Sequence, residues 1–179
     1  LALYDDTEYT ESEENPDTLL KRVMERLRSH LADHTESGFA YRVDFRLRPY
    51  GRASMLTHSL TSILEYYRAA ASTWERQALI RLRAVAGDME FGRRVVERLR
   101  AQLITEVDPQ EITSTIRRLR DAASGKRSRI IRGVDVKSGE GGIRDIEFLV
   151  QGQQMIRAFE HPTIIEPNTL RAIEKLVSE

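Results

Sequence analysis

Tyr41-Arg42-Val43-Asp44-Phe45-Arg46-Leu47-Arg48 alternates apolar and charged side chains without a break. A period of two predicts a strand with Tyr41, Val43, Phe45 and Leu47 on one face and Arg42, Asp44, Arg46 and Arg48 on the other. One carboxylate then stands among three guanidiniums on a surface whose reverse side suits a core. An acid for a divalent cation, flanked by bases for phosphate oxygens, is what a phosphoryl- or nucleotidyl-transfer strand needs. The plainer alternative is an ion pair of Asp44 with Arg42 or Arg46.

Upstream, Leu1-Ala2-Leu3-Tyr4 reads as the end of a buried strand, and residues 5 to 17 as an acidic loop. The chain begins at Leu1 inside that apolar segment, which suggests a piece of a longer protein. Asn15-Pro16 is a cap followed by proline at the first helical position. Leu19, Leu20, Val23, Met24, Leu27 and Leu31 continue it at helical spacing over 16 to 33. Downstream, 48 to 52 is a basic loop, and the remainder reads as helices. One carries Leu56, Leu60, Ile63, Leu64 and Tyr67, a shorter one spans 74 to 82, and another follows Gly87-Asp88. Asp108-Pro109-Gln110-Glu111 is a capping-box sequence. Residues 124 to 134 are basic and irregular, a glycine-bearing turn leads to a helix over 143 to 160, and Asn168 caps a last helix. Strands confined to the first quarter, with helices after it, predict an α+β, predominantly α chain. A sheet-containing domain over 1–87 precedes a helical domain over 88–179.

The 179 residues are 40% hydrophobic, enough for a core, and 31% charged with 28 residues of each sign. A net charge of zero argues against a general nucleic-acid binder. The absence of cysteine excludes thiolate metal sites and fits a reducing, cytoplasmic compartment. No apolar run reaches membrane-spanning length.

Other constellations are weaker. A two-metal site needs about three carboxylates, and Asp5 and Asp6, being adjacent, point to opposite sides of an extended chain. Glu75, Arg76, Arg81 and Arg83 around Trp74 suit ordinary surface charges beside a buried anchor. The glycines at 139, 141 and 142 precede a helix whose backbone donors could meet an anion, with Lys137 and Arg144 adding charge. Asp145 and Glu147, two apart on a helix, diverge. His30, His34, His58 and His161 show no metal-ligand spacing on any one helix.

Val43-Asp44-Phe45-Arg46-Leu47-Arg48-Pro49, Tyr66-Tyr67, Trp74-Glu75-Arg76-Gln77-Ala78-Leu79-Ile80-Arg81, Gly87-Asp88 and Gly141-Gly142-Ile143-Arg144-Asp145-Ile146-Glu147-Phe148 follow in one order. That ordered set, spread over nearly the whole chain, resembles the bifunctional glutamine synthetase adenylyltransferase/adenylyl-removing enzyme family. The resemblance implies a nucleotidyltransferase domain of the DNA polymerase β type over 1–87, its N-terminal part absent, and then a helical domain. It implies two catalytic halves in the complete protein. One moves AMP from ATP onto a tyrosine of glutamine synthetase, and the other removes it with phosphate, releasing ADP. It implies Mg²⁺ as cofactor and the PII signal protein as a further partner. Asp44 matches the family's third metal carboxylate, and the other two are expected upstream of Leu1, so this stretch alone is expected to be inactive. In the mechanism so implied, Asp44 is metal ligand and catalytic residue, and Arg46 and Arg48 are candidates for phosphate contacts. Strand rise puts them about 6.6 and 13 Å from Asp44 along one face, which favours Arg46. Tyr41-Arg42 and Arg144 look more like the adenylyl-removing half, whereas Lys137-Ser138-Gly139-Glu140 is less typical of it. The rivals are a PII uridylyltransferase and a non-catalytic protein-binding module, with nucleic-acid polymerisation a remote third.

Overall fold

A computed structural model describes residues 2–6, 16–51, 54–124 and 135–179. Arg52, the acidic stretch 7–15 and the basic stretch 125–134 lie outside the described residues. The described chain is mostly helical with one two-stranded parallel sheet, as the α+β, predominantly α reading expects. It separates into two compact units, Leu1–Ala71 and Ser72–Glu179. The division falls ahead of Gly87 because the helix after Ser72 packs on helices of the second unit.

In the first unit, β1 (Ala2–Tyr4) pairs in parallel with β2 (Thr57–Ser59), Leu3 opposite His58. Between them runs α1 (Pro16–Ala32), begun by the proline the sequence places there. Ser59 ends β2 and caps α2 (Leu60–Ala69), its Oγ accepting from the Ser62 N–H at 3.1 Å. The helix expected from Leu56 therefore starts at Leu60, and the positions before it are strand. Leu60, Ile63, Tyr66 and Tyr67 form the buried centre of this unit. The apolar stripe of α1 stays open, with Leu19, Val23 and Leu27 all exposed.

The second unit holds α3 (Thr73–Leu79), α4 (Met89–Ala101), α5 (Pro109–Ser124), α6 (Ile143–Arg157) and α7 (Thr169–Ser178). A 3-10 turn, Pro162–Ile164, precedes α7. Helix α6 packs on α3, α5 and α7. Val95, Leu99, Ile112, Val150, Met155, Ile164 and Ala172 are buried in this unit, each large aliphatic chain contributing about 1.5–3 kcal/mol. Asp88 caps α4 by accepting from Glu90 and Phe91 N–H at 2.8 and 3.0 Å, and Asn168 caps α7 the same way. At α5 only half the expected capping box forms. Asp108 accepts from Gln110 N–H at 2.8 Å, but Glu111 turns to the Thr73 hydroxyl of α3. A capping glutamate gains little over an interhelix partner, so tertiary contact wins.

The expected strand over 41–48 does not form. A strand needs neighbours for its ladder, and these donors are satisfied locally instead. Tyr41 N–H bonds to Leu31 O at 2.8 Å, Arg48 N–H to Arg46 O at 3.0 Å, and Arg46 N–H to the Asp44 carboxylate at 2.9 Å. This last bond is an Asx-turn, a local alternative to extended pairing. Tyr41 and Leu47, placed on the core side by the alternation, are exposed, whereas Val43 and Phe45 are half-buried.

Candidate functional site

The chain leaves α1 through a tight reversal at Thr35 and Gly38, closed by reciprocal N–H to carbonyl bonds of 2.8 and 3.0 Å. Gly38 takes φ 96°, a conformation open to glycine at little cost. This reversal lays Phe39 edge-on to His34, with ring centres 4.9 Å apart. The two rings, with Ala32, Tyr41, Arg42, Val43, Asp44 and Arg46, line an open cavity of about 470 Å³.

At its polar wall, Arg46 grips Asp44. Arg46 Nε donates to both carboxylate oxygens at 2.9 Å, and Nη2 donates to Oδ2 at 2.6 Å. The plainer sequence alternative, an Asp44–Arg46 pair, is thus what the structure contains. Both side chains remain open to solvent, 55% for Asp44 and 66% for Arg46. The hydrogen bonds from Arg46 to Asp44, and the carboxylate's charge, hold the guanidinium above its usual range. Such an exposed pair is weak in water and can open.

Arg48 does something different. Its guanidinium bonds to the Phe45 carbonyl and to the Ser54 carbonyl, the latter from Nε at 3.3 Å and Nη2 at 3.2 Å. Ser54 in turn donates to the Pro49 carbonyl. The spacing that put Arg48 on Asp44's face holds only for a strand, and Arg48 braces the loop instead. That loop carries Tyr50 at φ 56°, its ring edge-on to Tyr66 at 4.8 Å.

The other sequence candidates, all in the second unit, have partners there. Glu75 accepts from Ser72 N–H and Oγ at 3.0 and 2.6 Å as a capping group. Arg76 reaches the Gln102 carbonyl at 3.2 Å, and Arg81 bridges Glu147 at 2.7 Å and Thr169 at 2.9 Å. Trp74 is exposed by 43% and not a buried anchor. In the glycine turn the Gly141 N–H goes to Asp145 at 2.9 Å, and the Gly142 and Ile143 N–H groups go to backbone carbonyls. Arg120 Nε lies 3.1 Å from the same Asp145. These donors and charges are spent on one another, which is the reading of a turn rather than an anion cradle.

His34 and Phe39 were not singled out by sequence as cavity residues. Their only signal is the Ser37-Gly38 turn, which brings residues on either side of it together.

Asp44 offers Mg²⁺ a hard oxygen ligand of the kind it prefers, on a solvent-accessible wall. Among the described residues no group of three Asp, Glu, His or Cys side chains converges. One carboxylate by itself does not make a metal site.

Residues 1–98 match the family model described as Glutamate-ammonia ligase adenylyltransferase, and 110–179 match the GlnD PII-uridylyltransferase model. Three curated relatives carry the name bifunctional glutamine synthetase adenylyltransferase/adenylyl-removing enzyme. The one from Thioalkalivibrio sulfidiphilus is 39% identical over 80% of this chain and 15% of its own length. Those from Xanthomonas axonopodis and Bradyrhizobium diazoefficiens are 36% and 32% identical over 88% and 97% of the chain, and 17% and 18% of theirs. The chain spans under a fifth of the length of these relatives. With a family model over more than half of its residues and relatives of this identity, the chain belongs to the glutamate–ammonia ligase adenylyltransferase family.

Proposed function

We propose that this chain forms part of a catalytic half of a Mg²⁺-dependent nucleotidyltransferase that regulates glutamine synthetase by moving an adenylyl group on a tyrosine. The observation that carries this is the exposed Asp44 carboxylate held beside Arg46, with Arg42 and aromatic rings in the same open cavity. It supplies an acid for a metal, guanidiniums for phosphate oxygens and flat surfaces for a base. The names of the relatives supply the reaction class and the acceptor.

The adenylyl-removing direction suits the chain better, on Tyr41-Arg42 and Arg144. There an oxygen of inorganic phosphate attacks the adenylyl phosphorus in line. The bond to the tyrosine oxygen breaks, tyrosine recovers a proton, and ADP leaves. Mg²⁺ would neutralise charge on the phosphate oxygens and lower the pKa of the attacking group. Asp44 would supply one ligand to that metal and Arg46 would meet the phosphates, while Arg48 shapes the loop. The remaining carboxylates are expected upstream of Leu1.

The second model, over 110–179, favours PII as a regulatory partner and makes uridylyl transfer to PII the second reading. Assay of the complete protein with labelled ATP or UTP, against glutamine synthetase or PII, separates the two. The proposal expects adenylyl label to move onto or off glutamine synthetase and no uridylyl label on PII. Uridylylated PII with glutamine synthetase untouched overturns it.

A further inference from the structure

We propose that Tyr50 is a stacking contact for the adenine ring of the nucleotide. This deepens the adenylyl-transfer reading and rests on it.

Residues 48 to 51 form a β-turn closed by the Gly51 N–H on the Arg48 carbonyl at 2.9 Å. Pro49 stands second in it and Tyr50 third, at φ 56°. A positive φ at the third position is the place of glycine or asparagine, because a bulky side chain crowds the backbone there. Among the described residues Tyr50 is the one non-glycine in this region. Folding gains little from it, since Tyr50 is 70% exposed and meets Tyr66 only edge-on, at 4.8 Å. A strained residue that the fold does not need for burial points to a use outside the free chain.

The turn is built to hold that ring out. Pro49 is buried beneath it, and Arg48 is committed to the Phe45 and Ser54 carbonyls. The Ser54 hydroxyl is committed to the Pro49 and Gly51 carbonyls. Beside the ring, nothing lies within 4 Å of where a Cβ of Gly51 would stand, so a ligand can approach the backbone. Of the parts of a nucleotide, the base is the flat, uncharged one that stacks on an aromatic face. The turn is fastened beside the cavity, because Arg48 bonds to the carbonyl of Phe45, the neighbour of Asp44. Tyr50 follows Asp44 by six residues, at most about 22 Å if extended. The Arg48 N–H to Arg46 carbonyl bond and the β-turn shorten that span. Phosphates at the wall of Arg42 and Arg46 then leave the base within reach of Tyr50.

The test photolabels the complete protein with 2-azido-ADP and maps the modified peptides. Label displaced by unlabelled ADP is expected on the peptide carrying Tyr50. Tyr50→Phe is expected to keep its half-saturating concentration within about twofold. Tyr50→Asn, which suits the turn but lacks the ring, is expected to raise it about tenfold with far-ultraviolet circular dichroism unchanged. If Tyr50→Asn labels that peptide as the wild type does, or if the label falls on other peptides, the stacking contact is overturned and the adenylyl-transfer reading stands. If Tyr50→Phe weakens labelling as much as Tyr50→Asn, the hydroxyl and not the ring is the contact, which also overturns it. If Tyr50→Asn loses the folded dichroism, the ring serves packing and the proposal falls. If ADP displaces no label anywhere, the adenylyl-transfer reading falls, and the contact with it.

Discussion

Arg48→Lys tests whether this arginine is a brace or a phosphate contact. The guanidinium serves two carbonyls, Phe45 O from Nη1 and Ser54 O from Nε and Nη2, a fork that lysine lacks. Lysine keeps one of them. A hydrogen bond to a charged group contributes about 1.5–3 kcal/mol, and at this half-exposed rim the freed carbonyl can turn to water, so the expected loss is about 1 kcal/mol. Arg48→Met removes both bonds and is expected to cost about 2 kcal/mol. The chain carries its own reporters. All six tyrosines lie in residues 1–71 and the single tryptophan, Trp74, lies beyond them. Near-ultraviolet circular dichroism of tyrosine therefore follows the first unit, and Trp74 fluorescence follows the second. At about 1 kcal/mol per molar urea, the tyrosine midpoint falls by about 1 M for Lys and about 2 M for Met. An unmoved tyrosine midpoint refutes the brace.

Gly92→Ala would set a Cβ 2.6 Å from Ala84 Cβ, far inside the usual 3.5–4 Å of carbon contact. Overpacking of about 1–3 kcal/mol outweighs the gain of about 1 kcal/mol from helix propensity, so the variant loses stability. Adding Ala84→Gly is expected to restore it in Trp74 fluorescence, and a double variant no better than the single one contradicts the clash. Glu166 is held below the ordinary carboxyl value of 4.5, first by the Asn168 N–H, with Lys175 adding to it against partial burial. Its folded pKa is depressed, so its stabilisation is present above pH 4.5 and is lost as pH falls through the lower folded value. Urea midpoints of wild type and Glu166→Gln should differ most near pH 6 and converge toward pH 3. A gap constant across that range contradicts the assignment.

What the sequence made legible were features decided by neighbours along the chain. Pro16 starts α1 as expected, and Asp88 and Asn168 cap α4 and α7 where the residue types indicate. What escaped was decided by partners far away in sequence. Residues 57–59 are a strand only because β1 lies beside them, and nothing in Thr57-His58-Ser59 announces it. Glu111 leaves its own helix terminus for Thr73 on another helix. The failure at 41–48 is the instructive one. Its alternation was real, but a carboxylate two residues before an arginine can satisfy that residue's backbone N–H as well as its side chain, and Asp44 does both. The same pairing leaves the candidate acid on an open wall and withdraws Arg48 to the loop.

The most direct measurement is the Mg²⁺-dependent release of labelled AMP, as ADP, from adenylylated glutamine synthetase by the complete protein carrying Asp44→Asn. Loss of an outer partner of a metal ligand already costs about 10–100-fold, so loss of the ligand is expected to cost at least about 100-fold, with the tyrosine dichroism unchanged. Release at the wild-type rate by this variant would contradict the claim that Asp44 serves the metal.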